Sequence, residues 1–187
     1  MRSLRPLLTL FLGFSAPLLA QDQWNDQWIV QRVQRLETFT LITRQRVPLA
    51  AKYSALCGEI RNPADHTTLI GKPDAAILVY VSAEGLGPFK EERYPLPEGT
   101  LILKEKFASH DAKSPELYTG MLKREKGYNP KAGDWEFFTL SGSRGAITSR
   151  GRIDPCMDCH QHRAKSDFLM RQTYSQYLTA SRPVAPR

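Results

Sequence analysis

The sequence predicts an α+β fold, a mainly antiparallel β-sheet with an N-terminal helical segment and a C-terminal helix. Three observations support this class. Apolar residues recur at helical spacing near both ends of the chain, short β-branched and apolar runs lie between them, and those runs are joined by short connections that favour antiparallel neighbours. A chain of 187 residues, 41% hydrophobic and 24% charged, is long enough for one domain with a sizeable core.

The N-terminus has the features of an export signal. Arg2 and Arg5 precede an apolar run over residues 6–20, and the chain turns polar at Gln21. A basic start, a short apolar middle and a small residue at Ala20 predict a signal peptide over residues 1–20. The run is shorter than the roughly 20 residues that span a bilayer as a helix, so a retained anchor is the lesser alternative. We therefore expect a periplasmic protein with no membrane span after cleavage.

The next part of the chain, residues 21–71, is predicted to be a helical extension. A first helix over residues 22–36 is indicated by one apolar stripe at helical spacing, formed by Trp24, Trp28, Ile29, Val33 and Leu36. A second helix is predicted over residues 48–56, because Pro48 suits a first turn and Gly58 suits a stop.

The strands are predicted in the middle of the chain. A buried strand over residues 76–81 is followed by a loop that contains Pro88, Pro95 and Pro97 and ends at Gly99. Further strands are predicted over residues 100–107, 117–126 and 134–140, with a weaker fifth over residues 144–149. One helix is then predicted over residues 156–178, before a tail of residues 179–187.

The strongest motif of the sequence is C-x-x-C-H at Cys156, Cys159 and His160, the attachment signature of c-type haem. Thiols three residues apart on one helical turn can both reach the two vinyl groups of one haem edge. His160 then supplies the proximal ligand to the iron, the one metal bond predicted here. Its other ring nitrogen needs a carbonyl or water partner that fixes the tautomer.

Two other readings of the motif remain open. Cys156 and Cys159 could form a redox disulfide, although that arrangement usually follows the first strand of a βαβ unit. A zinc site could use both thiols with His162, although no fourth ligand stands at finger-like spacing. Haem is attached outside the cytoplasm, so the predicted export favours the haem reading.

The position of the motif bears on the sixth iron ligand. Met170 lies on the same predicted helix as His160, so we expect that it cannot reach the opposite face of the haem. The upstream residues Met121, His66 and His110 remain possible ligands. A five-coordinate iron with an open face predicts a protein that binds or converts a small molecule.

A series of motifs in a fixed order resembles the cytochrome P460 family, which includes the β-type cytochromes c′. The motifs are the segment from Gly99 to Glu105, Met121-Leu122-Lys123, Gly133 to Phe137, the C-x-x-C-H motif, and Lys165 to Leu169. The resemblance covers residues 76–174 and implies a haem c domain over residues 72–178. It implies a mainly antiparallel β fold closed by helices, with one covalently attached haem c.

The resemblance also implies a chemistry. Lys104 stands where cytochrome P460 has a lysine bonded to the haem edge, which implies both a cofactor-binding and a catalytic role. Such proteins oxidise hydroxylamine and perform nitric oxide chemistry at the same iron. We expect a soluble cytochrome c to accept the electrons. The alternatives are a nitric oxide or carbon monoxide binder without turnover, and an electron-transfer cytochrome c. Family members are often homodimers, so a homodimer is possible here.

The residues by themselves favour plainer roles for several of these side chains. Strand alternation places Lys104 on one face with Thr100, Ile102 and Lys106, which alone would predict a solvated lysine. Oxidation of a substrate that loses protons needs an acceptor, and Glu136 or Glu105 could serve, although both also suit a surface. The aromatic residues that could line a distal pocket are Phe107, Phe137, Phe138 and Tyr118.

Two features complete the sequence-based expectations. Cys57 remains once haem takes its pair, and we expect a buried thiol or an intermolecular disulfide there. Lys and Arg outnumber Asp and Glu by 26 to 19, for a formal charge of +7. No dense basic block or RNA-binding aromatic motif accompanies this charge, so we expect no nucleic-acid partner.

Overall fold

The computed structural model describes residues 23–51 and 74–178 of the chain. The expected signal peptide, most of the second expected helix, Cys57, His66 and the tail lie outside these residues. Within the described ranges, no helix combines the length and the apolar character that crossing a bilayer requires.

The described residues contain helices near both ends of a run of strands, and one further helix within that run. The helices are α1 (Asp26–Gln34), α2 (Ala83–Lys90) and α3 (Asp154–His160), with short 3-10 helices at Leu36–Thr38, Pro130–Ala132, Gln161–Ser166 and Arg171–Tyr177. The strands are β1 (Thr40–Leu41), β2 (Val47–Pro48), β3 (Ala76–Val81), β4 (Leu101–Phe107), β5 (Leu117–Lys123), β6 (Trp135–Ser141) and β7 (Ile147–Gly151).

The strands form one antiparallel sheet in the order β1-β3-β4-β5-β6-β7, with β2 also paired to β3. The predicted antiparallel sheet is therefore confirmed. Its register aligns Lys104 with Thr119, and Thr119 with Thr139. Because side chains at paired positions point to the same face, these three residues lie in a row across the middle of the sheet.

Both faces of the sheet are covered. On one face Ile102, Met121 and Phe137 belong to a core that also contacts Cys156 and Met170. On the other face Leu101, Leu103 and Leu122 pack against Ile29 and Val33 of α1. Each fully buried side chain of this kind contributes about 1.5–3 kcal/mol relative to exposure. Successive side chains along each central strand therefore point alternately into two different cores, and neither face of these strands is fully solvated.

The expected central strands are found close to their predicted positions, and α1 lies inside its predicted range. Two expectations in the first half of the sheet are wrong. Pro48 ends β2 instead of opening a helix, and Pro88 lies inside α2 instead of in a loop. Pro88 lacks only the N–H that would bond to Glu84, at the exposed first turn, while the adjacent Phe89 is buried in the core. Burial of Phe89 therefore outweighs the low helix propensity of proline.

The C-terminal helix expected over residues 156–178 is not continuous. Helix α3 ends at His160 and passes into a 3-10 helix, after which Asp167 and Phe168 adopt left-handed backbone angles, with φ of 52° and 63°. A second 3-10 helix begins at Arg171. These left-handed residues interrupt the helical path, so Met170 does not lie on the same helix as His160.

Candidate haem site

A cavity lies between α3, the middle of the sheet and the second C-terminal 3-10 helix. It comprises about 1250 Å³ of space, counting the mouth that opens to solvent. Its lining is mostly apolar. The lining residues are Val47, Pro48, Leu49, Ala50, Ile77, Lys104, Thr119, Gly120, Met121, Phe137, Phe138, Thr139, Pro155, Cys156, Cys159, His160, Met170, Thr173 and Tyr174.

Helix α3 brings the three motif residues to one wall of this cavity. Pro155 lies in its first turn, a position where the missing N–H of proline costs nothing. Cys156 and Cys159 are partly exposed, and His160 is buried. Residues three and four apart lie on the same side of a helix, which is why both thiols and the imidazole face the same space.

The surroundings of His160 define its chemical state. Nδ1 lies 2.6 Å from the carbonyl oxygen of Phe168, and a carbonyl can only accept, so Nδ1 carries the proton. Burial, and then the nearby Lys104 ammonium group, lower the pKa of His160 to about 3. The imidazole is therefore neutral, and Nε2 is the nitrogen that keeps a lone pair for a metal. The carbonyl partner expected for this histidine is present.

Lys104 lines the same cavity as His160. Strand alternation alone would suggest a solvated position, but Lys104 is only partly exposed, because α3 and the C-terminal segment pack over that face of the sheet. Thr119 and Thr139 lie beside Lys104 in the same row and also line the cavity. The bond from Lys104 to the haem edge that the family resemblance implies stays a prediction.

Glu136 does not belong to this cavity. It points to the opposite face of the sheet, where its carboxylate accepts hydrogen bonds from Arg124 at 2.6 Å, Arg150 at 2.8 Å and Tyr128 at 3.0 Å. Strand alternation is the reason, because Phe137 takes the cavity side of β6. The expectation that Glu136 accepts protons from a substrate therefore does not fit the fold.

Glu105 is also remote from the cavity. It lies on the α1 side of the sheet, where its carboxylate accepts hydrogen bonds from Tyr80 at 2.8 Å and from Tyr118 at 2.9 Å. Tyr118 therefore packs in the core on the α1 side of the sheet. The Phe107 ring lies under the guanidinium group of Arg46. Phe137 packs in the core on the cavity side, whereas Phe138 borders the cavity but packs its ring in the core on the α1 side.

Several lining residues were not expected from the sequence. Met170, Thr173 and Tyr174 reach the cavity because the left-handed turn redirects the chain, and Val47 reaches it through β2. Their positions at the cavity could not be predicted from the sequence. Strand β2 has only two residues, which is too short for a pattern, and the left-handed turn contains no glycine that would mark it. Of the thioethers and imidazoles considered as sixth ligands, Met121 and Met170 line the cavity, whereas His110 is exposed.

The donor set fits haem c better than zinc. Within the described residues, no group of three or more His, Cys, Asp and Glu side chains is arranged to hold a metal ion. His162 is exposed, so it does not complete a site with the two thiols. Two thiols three residues apart, a neutral imidazole oriented by a carbonyl and an apolar cavity are what a covalently attached haem requires.

No protein-family model matches the chain. No curated protein matches it either. The resemblance to the cytochrome P460 family therefore rests on the motifs quoted above.

Proposed function

We propose that this protein is an exported, periplasmic mono-haem c protein that acts on small nitrogen compounds. In this proposal the haem is attached through Cys156 and Cys159 on α3, and His160 is the axial ligand. The observation that carries it is the meeting of all three residues with Lys104 at one apolar cavity. A lone C-x-x-C-H match could occur by chance, and the position of this motif at an apolar cavity supports the haem interpretation.

A haem bound there supplies an iron with one open position for hydroxylamine or nitric oxide and a route for electrons to leave. The residues of the chain supply the rest. His160 binds through Nε2, and the Phe168 carbonyl holds its ring. Phe137 and Met121 would exclude water, and Lys104 would place its amine beside the haem edge. A soluble cytochrome c takes the electrons.

A second function is favoured by one specific feature of the cavity. Among the lining residues in ranges 23–51 and 74–178, none is Asp or Glu. A substrate that loses protons during oxidation needs an acceptor, and Glu136 lies across the sheet. A protein that binds nitric oxide or carbon monoxide without turnover needs no such group.

The optical spectrum of the purified, exported protein tests the proposal. We expect a c-type haem whose ferrous spectrum has a band well to the red of ordinary haem c, and we expect Lys104→Ala to abolish that band. Lys106→Ala is the matched control, because Lys106 lies two residues along the same face of β4. A colourless protein, with no haem mass on the polypeptide, would refute the proposal.

Turnover separates the two functions. Hydroxylamine-dependent reduction of an acceptor supports the enzyme, whereas rapid nitric oxide uptake without that reduction supports the binder. A low-spin, six-coordinate spectrum that gases do not change would exclude both and indicate an electron carrier. Met121→Leu and Met170→Leu would then identify the sixth ligand, since both thioethers line the cavity.

A further inference from the structure

Behind the His160 wall, outside the cavity lining, lies a buried ion pair. Lys123 at the end of β5 donates from Nζ to Oδ1 of Asp167 at 2.6 Å, and the two side chains are 8% and 4% exposed. The same ammonium group donates to the Gly133 carbonyl at 2.7 Å and lies over the Trp135 ring. Neither charged group is needed for attachment of a haem.

Asp167 is held from three directions. Its Oδ2 accepts a hydrogen bond from the Leu96 backbone N–H at 2.8 Å, and its carbonyl accepts one from Trp135 Nε1 at 2.8 Å. With the Lys123 contact, these bonds tie the residue to β5, to β6 and to the segment before β4. Its position is therefore set by the sheet rather than by the short 3-10 helices beside it.

Asp167 is followed by Phe168, whose carbonyl oxygen accepts a hydrogen bond from His160 Nδ1–H at 2.6 Å. Both residues have positive φ angles, which are uncommon for side chains other than glycine, asparagine and aspartate. The Phe168 ring also lies where a Cβ on Gly133 would meet it, at 2.5 Å. Such a conformation persists only where its surroundings fix it.

We propose that Lys123 and Asp167 are positioning residues that set the donor strength of His160, by holding the left-handed turn that presents the Phe168 carbonyl to Nδ1. This inference rests on the proposed haem ligation by His160. A hydrogen bond from Nδ1–H to a fixed acceptor raises the basicity of the metal-bound nitrogen, which strengthens the iron–histidine bond and stabilises ferric iron. Loosening the turn weakens that bond.

A positioning role and a through-space charge effect predict different shifts in reduction potential for variants of Lys123 and Asp167. Through space, loss of the Lys123 cation lowers the reduction potential, and loss of the Asp167 anion raises it. If both residues act through the Phe168 carbonyl, Lys123→Met and Asp167→Asn both raise the potential. Asn suits the second variant because it tolerates a left-handed backbone and keeps one acceptor oxygen.

The test measures the midpoint potential and the iron–histidine stretching frequency in the resonance Raman spectrum of the ferrous holoprotein. The matched control is Lys106→Met, which breaks another ion pair of a buried lysine on the same sheet, with Glu116. We expect a higher potential and a lower frequency in both test variants, and wild-type frequency in the control. Mass spectrometry verifies that each variant carries haem.

Shifts of opposite sign with an unchanged frequency would overturn the inference, as would values equal to those of the control. If a charge variant does not fold, Trp135→Phe removes the hydrogen bond to the Asp167 carbonyl, keeps an aromatic ring beneath Lys123, and must shift both quantities in the same directions, to a smaller extent. Absence of haem from the wild-type protein would instead refute the proposed function, so the two failures are distinguishable.

Discussion

At the scale of single residues, the fold makes His160 ready to bind a metal. A histidine ligand must be neutral, and its two nitrogens must be assigned, one to the metal and one to a fixed partner. Burial supplies the first condition and the Phe168 carbonyl supplies the second. If His160 ligates the proposed haem iron, its imidazole is already neutral and hydrogen-bonded through Nδ1, which would reduce the free-energy cost of ligation.

Gly120 is a second residue whose identity is dictated by its neighbour. It is paired with Phe138 across β5 and β6, and a Cβ at this position would lie 2.1 Å from Cζ of that ring. Phe138 is 1% exposed and has no room to move. We expect Gly120→Ala to lower the free energy of unfolding by about 1–3 kcal/mol, measured by urea denaturation.

The matched control for this change is Gly87→Ala in α2. No atom lies within 4 Å of a Cβ built on Gly87, and alanine favours a helix over glycine by roughly 0.5–1 kcal/mol. The control should therefore gain stability. Equal stability of the two variants would contradict the packing argument for Gly120.

Because of Tyr128, we expect the free energy of unfolding to depend on pH in the alkaline range. Burial, and then the Glu136 carboxylate, which accepts a hydrogen bond from the Tyr128 hydroxyl group, raise the pKa of Tyr128 to about 12. Between the ordinary tyrosine pKa near 10 and 12, the unfolded chain loses this proton while the folded protein keeps it. The contribution of Tyr128 to stability is therefore complete below pH 10 and disappears as the pH rises to 12.

Tyr128→Phe isolates that contribution from the other tyrosines. We expect the wild-type protein to be more stable than the variant at pH 8, and the difference to shrink between pH 10 and 12. Urea unfolding at four pH values measures it. A difference that stays constant across this range would show that the phenol does not titrate as its contacts require.

The sequence identified some site residues and missed others for physical reasons. The C-x-x-C-H motif is readable because attachment demands a fixed spacing. The Phe168 carbonyl is a backbone group whose position depends on the left-handed turn, so no side-chain pattern reports it. The alternation of side chains along β4 predicted that Lys104 and Ile102 share one face of the sheet. It did not predict that a second core covers that face. For Glu136 the same alternation, applied to β6, would have excluded it from the side of Phe137.

At the scale of elements, α1 is short and depends on its cap and on the sheet. Nine residues are too few for a stable isolated helix. The Asn25 side chain accepts a hydrogen bond from the Trp28 backbone N–H at 2.9 Å, and Asp26 pairs with Arg150 of β7 at 2.7 Å. Ile29 and Val33 are fully buried. The cap and the apolar stripe therefore stabilise different ends of one small element.

Removal of the cap should have a measurable and local effect. We expect Asn25→Ala to lower the free energy of unfolding by about 0.5–2 kcal/mol, because the Trp28 N–H loses its acceptor, and Asn25→Ser to restore most of it. Chemical denaturation followed by circular dichroism measures both. Two variants of equal stability would mean that packing of Ile29 and Val33 alone fixes the start of α1.

The C-terminal segment shows why periodicity misled at this scale. Phe168, Leu169 and Tyr174 have a spacing that also suits an α-helix, and residues in 3-10 helices recur at a similar period. The interruption at Asp167 is decided by partners far away in sequence, Lys123 and Trp135. Local propensity contains no information about such contacts, whereas strands β3 to β6 carry enough apolar and β-branched residues to be recognised alone.

At the scale of the whole molecule, the two faces of the sheet have different surroundings. One face binds α1 through an apolar core, and the other faces the cavity with Lys104 in its middle row. The sheet can therefore keep the cavity wall, including Lys104, in place while α3 brings the three motif residues to that cavity. The antiparallel order was predictable from short connections, but the covering of both faces was not, since β1 and β2 are too short to show a pattern.

If the proposed haem is absent, the different surroundings of the two faces predict which segment of the protein unfolds locally. Helix α3 has seven residues, and its His160 and both thiols face the cavity, so an unfilled cavity leaves it little to pack against. The ladders of β3 to β6 do not depend on the haem for their hydrogen bonds. In the double variant Cys156→Ala and Cys159→Ala, we expect amide exchange to accelerate over residues 154–177 and to stay slow in the central strands.

Hydrogen exchange with mass spectrometry, on the full chain with and without attached haem, measures this directly. His162→Ala is the control, because that exposed side chain lies two residues from the haem ligand and should leave both attachment and protection unchanged. Binding of a group to the native state alone stabilises the whole fold by mass action, but local opening follows the segment that contacts the group. Equal acceleration throughout the sheet would mean that the sheet itself needs the haem, and the separation of scaffold from site would be wrong.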